Sequence, residues 1–229
     1  MIDNYCERIG PGFWAEPVNA ITNAAFLIAA IALFVLLRRR QSRDHIAWLL
    51  AALVLAIGIG SFLFHTFATT WAAALDVIPI LLFQLLYLWG YGRRVLHFTG
   101  WQSAMAVLLL ATAIVGTGPF SHLANGSIAY APAWLALAVL AVAHWRVAAV
   151  ERWSLPLAAV VFSVSIALRT LDAAICAAFP LGTHFGWHLL NGGVLYLAVR
   201  GFAVGVGAAR PGQPLRPQGP PKAPVRFGQ

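Results

Sequence analysis

The chain has 229 residues, of which 61% are hydrophobic and only 10% charged, a balance that excludes a soluble globular surface and marks an integral membrane protein. Its formal charge of +8 does not point to nucleic acid. The basic residues sit in short clusters between apolar runs and in the tail, never on an aromatic-interleaved face, and read as a membrane-topology signal.

The first stretch, residues 1–16, is polar and carries Asp3, Glu7, Arg8 and Glu16. It has no apolar core of the signal-peptide kind, so it is expected to be an extracytoplasmic N-terminal segment, with the first helix as its own insertion signal. Apolar runs near the ~20 residues needed to cross a bilayer follow at about 17–37, 46–67, 72–92, 101–117, 130–148, 154–174 and 182–205. The fourth is the shortest. Together they predict an all-α, seven-helix membrane domain over 17–208. The remainder, 209–229, alternates Pro and Gly with Arg210, Arg216, Lys222 and Arg226 and is expected to be a disordered basic tail.

Positive charge sets the expected orientation. Arg38, Arg39, Arg40 and Arg43 follow the first run, Arg93 and Arg94 the third, Arg146 and Arg152 the fifth, and Arg200 begins the C-terminal side. The alternate loops, around 68–71, 118–129 and 175–181, hold no Lys or Arg. The positive-inside rule therefore predicts the N-terminus outside and the C-terminus in the cytoplasm.

Ionisable groups inside a span are costly, so each is a functional candidate. His184 and His188 are four residues apart at the start of the seventh run and leave one face of a helix. Ser61 and His65 stand one turn apart at the outer end of the second run, and Asp76 lies one turn inside the outer end of the third, ahead of Pro79. The topology puts all five at similar depth near the outer face. Three neutral imidazoles would hold a tetrahedral zinc with one position open, the catalytic pattern of coordination. His45, His97, His122 and His144 fall at cytoplasmic ends or in loops and are assigned no role. Arg169 and Asp172, three residues apart, are expected to pair with each other, the alternative being to hold a lipid headgroup, and Asn191 to bond between helices, the alternative being to support the nearby His188.

Ser61-x-x-x-His65, then Asp76, then His184-x-x-x-His188, on a seven-helix frame with the N-terminus outside, resembles the alkaline ceramidase family. That family belongs to a superfamily of seven-helix hydrolases that also holds the adiponectin and progestin receptors. The opening Cys6-Glu7 and the segment from Glu16 through Asn19 to Asn23 are similar to the ceramidase pattern. The resemblance implies zinc on His65, His184 and His188, with Asp76 handling water and Ser61 holding the reacting oxygen. It also implies calcium in the N-terminal stretch, on Glu7 and Glu16 with Asp3 and Asn19. Here the chain departs from the family: Asn4 stands where the family has an aspartate, and Tyr5 replaces a tryptophan.

The function expected from these residues is zinc-dependent hydrolysis of a membrane lipid amide, ceramide or a related N-acyl lipid, to a fatty acid and an amine. The alternative is a lipid or ligand receptor holding a structural zinc without turnover. The paired, broken spans of a transporter are missing. Cys6 and Cys176 both fall on the outer side in this topology, where they form a disulfide or remain two buried thiols.

Overall fold

The computed structural model describes residues 1–205. The expected basic tail over 209–229, with the last residues assigned to the membrane domain, lies outside the described residues. Among these, the regular structure is entirely helical.

The first span, Pro17–Arg39, is built from α1 (Pro17–Thr22) and α2 (Ala24–Arg39), which meet at Asn23. Then come α3 (His45–Phe67), α4 (Thr70–Arg94), α5 (Gly100–Gly116), α6 (Ala131–Val147), α7 (Ser154–Ile175) and α8 (His184–Gly205). Asp44 starts α3 by accepting from the amides of Ile46 and Ala47, and Thr99 with Gln102 forms a reciprocal capping box on α5. A 3-10 stretch, Leu123–Tyr130, leads into α6.

Six of these spans are long and apolar enough to cross a membrane, so the chain is a multi-pass membrane protein. The fourth run qualifies because a short helical turn extends it to Phe120. The seventh long helix, α8, is the one that falls short on apolarity. Its 22 residues would reach about 33 Å, but His184, His188, Asn191 and Arg200 dilute its hydropathy.

Each long helix packs on the next in sequence, and α8 closes the ring against α2 while also touching α3. Leu33, Leu37, Leu50, Val54, Ile57, Tyr91, Leu155, Val199 and Phe202 form the buried core. Ile28, Leu109, Val139 and Val160 point outward and exposed. An apolar belt of this kind is suited to lipid and not to water.

At the end of the bundle where the N-terminal segment lies, α3 and α4 approach closely. Pro79 has no N–H, which deprives the Leu75 carbonyl of its helical donor. That carbonyl oxygen lies 2.0 Å from where a Cβ on Gly60 would stand, so only glycine permits the crossing. Ser61 and Asp76, the next residues on the two helices, are brought together by it. At the opposite end, buried His144 contacts the Tyr91 hydroxyl at 2.8 Å and the Glu151 carbonyl at 3.0 Å, a structural tie between α4, α6 and the following loop.

Candidate active site

His65 lies near the end of α3, while His184 opens α8 and His188 stands one turn along it. Their rings converge, with centroids 4.6 to 5.2 Å apart, and all three are at most 2% exposed. Ligand nitrogens from the three lie within 4.8 Å of one another.

The second nitrogen of two of these rings is held by a partner. Nδ1 of His65 lies 2.5 Å from Oε2 of Glu16, a carboxylate that can only accept. The proton therefore sits on Nδ1 and leaves the Nε2 lone pair free. Nδ1 of His188 lies 3.0 Å from the Thr22 hydroxyl, which donates its own proton back to the Val18 carbonyl at 2.8 Å. The hydroxyl must then accept from His188, again leaving Nε2 free. Nε2 of His188 and Nδ1 of His184 are buried with no hydrogen-bond partner. Orphaned nitrogens at such depth are costly unless something binds them, so the donor set fits a metal ion.

A family model, Ceramidase, matches residues 3–206. The chain belongs to the Ceramidase family. No curated protein matches it. Membership implies an amide hydrolase acting on a lipid, with a three-histidine group able to hold a metal ion.

The other residues singled out from the ceramidase pattern divide. Ser61 is buried and hydrogen-bonds the Asp76 side chain, and Asp76 interacts electrostatically with His65; both stand at the histidine centre. The N-terminal acids are organised otherwise. Oε1 and Oε2 of Glu7 accept from the amides of Val18 and Asn19, at 2.6 and 2.8 Å, and so cap α1. Burial pushes the Glu7 carboxyl up against the pull of those amides.

Glu16 is paired with buried Arg8, with His65, and with the Asn19 amide at 3.1 Å. Burial opposes its charge, yet the hydrogen bonds with His65 and Asn19 and the charge of Arg8 together hold its carboxyl below the usual range. Asp3 is exposed, and Oδ1 of Asn19 is buried without a partner. The cation of the segment is the Arg8 guanidinium, which also reaches the His65 carbonyl at 2.8 Å and closes the end of α3.

The N-terminal segment covers the centre. Tyr5 stacks on His184 with centroids 3.6 Å apart, Ile2 donates to the Ala68 carbonyl, and Cys6 is joined to Cys176 by a disulfide. Asp172 does not pair with Arg169. Its buried carboxylate instead accepts from the amides of Cys6 at 3.1 Å, Thr183 at 2.7 Å and His184 at 2.9 Å. Free amides at the start of α8 outcompete a guanidinium one turn away. Gly182, at φ +66, makes this possible, because a Cβ there would meet Oδ1 of Asp172 at 2.2 Å. Asn191 does bond between helices, to Ser165 at 2.9 Å.

Beneath the histidines lies an apolar cavity of about 110 Å³, lined among others by Phe26, Tyr130, Trp187, Asn191, Tyr87 and Ala198. Along α8 it runs from Trp187 to Ala198, about 16 Å at 1.5 Å per residue. Gln84 is one of its few polar walls.

Proposed function

We propose that the protein is a zinc-dependent intramembrane amidase that cleaves ceramide or a related N-acyl lipid into a fatty acid and an amine. The observation that carries this is the three-histidine centre, in which His184 and His188 each hold an orphaned buried nitrogen and His65 interacts with Asp76, above an apolar cavity. The positive-inside reading places this centre near the extracytoplasmic face.

His65, His184 and His188 would hold the zinc, which when bound supplies a Lewis acid for the carbonyl and lowers the pKa of water toward ~7. Glu16 and Thr22 fix the tautomers that make two of those histidines ligands. The acyl chain lies in the cavity and brings the amide to the histidine end. Asp76 accepts a proton as the water oxygen bonds to the carbonyl carbon, then returns it to nitrogen as the C–N bond breaks. Ser61 donates to Asp76 while Asp76 is ionised. Once Asp76 carries the proton the bond can reverse, freeing the Ser61 O–H for the developing oxyanion.

The test is mass spectrometry of products after incubating purified, zinc-loaded protein with a panel of N-acyl lipids. Release of a fatty acid and the matching amine, abolished by His188→Ala, is expected. Stoichiometric zinc with no turnover on any member of the panel would replace the hydrolase by a receptor.

A further inference from the structure

α4 presents one continuous face to the apolar cavity. Ile80, Phe83, Gln84, Tyr87 and Leu88 all line it, at the three- and four-residue spacing that keeps side chains on one side of a helix. Asp76, one turn before Ile80, carries the same stripe up to the histidine centre. α8 supplies a second stripe, on which His184 and His188 lead on to Trp187, Asn191 and Ala198 of the cavity wall. A chain laid in this cavity from the reacting centre therefore runs along both helices.

The carboxamides and hydroxyls on these walls are bonded, with one exception. Nδ2 of Asn191 donates to the Ser165 hydroxyl at 2.9 Å and to the Trp187 carbonyl at 3.0 Å. The Tyr87 hydroxyl donates to the Ala198 carbonyl at 3.1 Å, and that of Tyr130 bonds Arg169. Gln84 makes no hydrogen bond to any described residue. It is half-buried and stands near the middle of the 25 residues of α4. A glutamine on a spanning helix ordinarily bonds a neighbouring helix, and an amide at this depth with no partner is costly. What the cavity receives is then the natural partner for it.

Eight residues along the stripe, Gln84 lies about 12 Å beyond Asp76 at 1.5 Å per residue. With the amide carbonyl at the histidines, that is the depth of the middle of an eighteen-carbon acyl chain. We propose that Gln84 hydrogen-bonds a hydroxyl midway along the acyl chain, so that ceramides of mid-chain hydroxylated fatty acids are the preferred substrates within the ceramide class. A carboxamide both donates and accepts, as a hydroxyl does, and a methylene chain at the same place would leave the amide unpaired. The inference rests on the amidase reading and narrows its substrate class. A hydroxyl on the chain of the amine half would offer the same chemistry, and the experiment separates the two sources.

Full-length zinc-loaded protein is assayed on ceramides that share the sphingosine base and carry a stearoyl, 2-hydroxystearoyl or 10-hydroxystearoyl chain. The 10-hydroxy chain should exceed the plain chain by about three- to tenfold in kcat/KM, the worth of a neutral hydrogen bond, and the 2-hydroxy chain should show no such gain. Gln84→Leu removes the unpaired amide, so it should lower the rate on the 10-hydroxy chain, raise it on the plain chain and invert the ratio. Gln84→Asn keeps a shorter carboxamide and should keep part of the preference. A second arm measures thermal stabilisation of chelator-treated protein by each lipid, where the same order should appear. A wild-type rate on the 10-hydroxy chain no higher than on the plain chain overturns the inference without any variant, and so does a preference that survives in Gln84→Leu. An equal gain from a hydroxyl midway along the sphingoid chain would seat the amine half in the cavity and overturn it as well. If none of the lipids is cleaved, the amidase reading fails, and the stabilisation arm still decides whether Gln84 selects a mid-chain hydroxyl.

Discussion

Glu16 accepts a hydrogen bond from Nδ1 of His65 across 2.5 Å, although 49 positions separate them. The contact ties the N-terminal segment to the metal centre and sets the His65 tautomer. Glu16→Gln keeps the volume but removes the charge that holds that tautomer, so zinc affinity should fall about 10- to 100-fold. Competition titration against a chromophoric chelator reads this directly. Thr22→Val should act in the same direction through His188, and unchanged affinity in both variants would show that the second nitrogens do not matter to the site.

The disulfide between Cys6 and Cys176 spans a sequence separation of 170 and pins the segment that carries Tyr5 onto His184. Serine at both positions should cost about 2–4 kcal/mol of stability and speed zinc release, because the lid over the histidines is then held only by its polar contacts. Thermal midpoints and zinc-release rates, with and without reductant, test it. A midpoint and a release rate insensitive to reduction would mean that Glu7, Arg8 and Glu16 alone hold the segment.

The helices and the histidines were legible because their signals are local. A 20-residue apolar run and an i, i+4 pair keep their meaning whatever packs around them. The break at Asn23 was not legible: Asn19, Thr22 and Asn23 are polar, but nothing in their spacing marks where the helix is interrupted. The pairing expected between Arg169 and Asp172 failed because spacing along one helix says nothing of outside competitors, here the amides of Cys6, Thr183 and His184. Arg8 left one clue, a basic residue set between two acids, and only the fold shows that it pairs with Glu16 and reaches the end of α3.

Gly60 faces the Leu75 backbone so closely that an added Cβ would stand 2.0 Å from the carbonyl oxygen and 2.6 Å from its carbon. Backbone cannot rotate away as a side chain can, so Gly60→Ala must push α3 and α4 apart. We expect a loss of at least ~1–3 kcal/mol and weakened contact between Ser61 and Asp76. Gly193→Ala is the control. It has nothing within 4 Å of the new methyl group, so it should be neutral or slightly stabilising through helix propensity. Thermal unfolding of both variants in one detergent decides the matter, and a Gly60→Ala midpoint at or above that of Gly193→Ala would contradict the close crossing.

Asp76 and the histidines should fail in different ways when altered. The histidines hold the metal, whereas Asp76 is bonded to Ser61 and is proposed to carry protons. Asp76→Asn preserves shape and can still hydrogen-bond but cannot accept a proton at neutral pH. Zinc content and thermal stability should therefore stay near wild type, while amide hydrolysis falls by at least the ~10² attributed to general acid-base groups. Ser61→Ala should lose about 10- to 1,000-fold, the range for one oxyanion donor, and the double variant should lose less than the product of the two because the residues share one hydrogen bond. Zinc content by mass spectrometry and single-turnover hydrolysis separate the outcomes. Wild-type hydrolysis by Asp76→Asn would remove it as the base, and loss of zinc in that variant would make it a ligand or a support of the ligands instead.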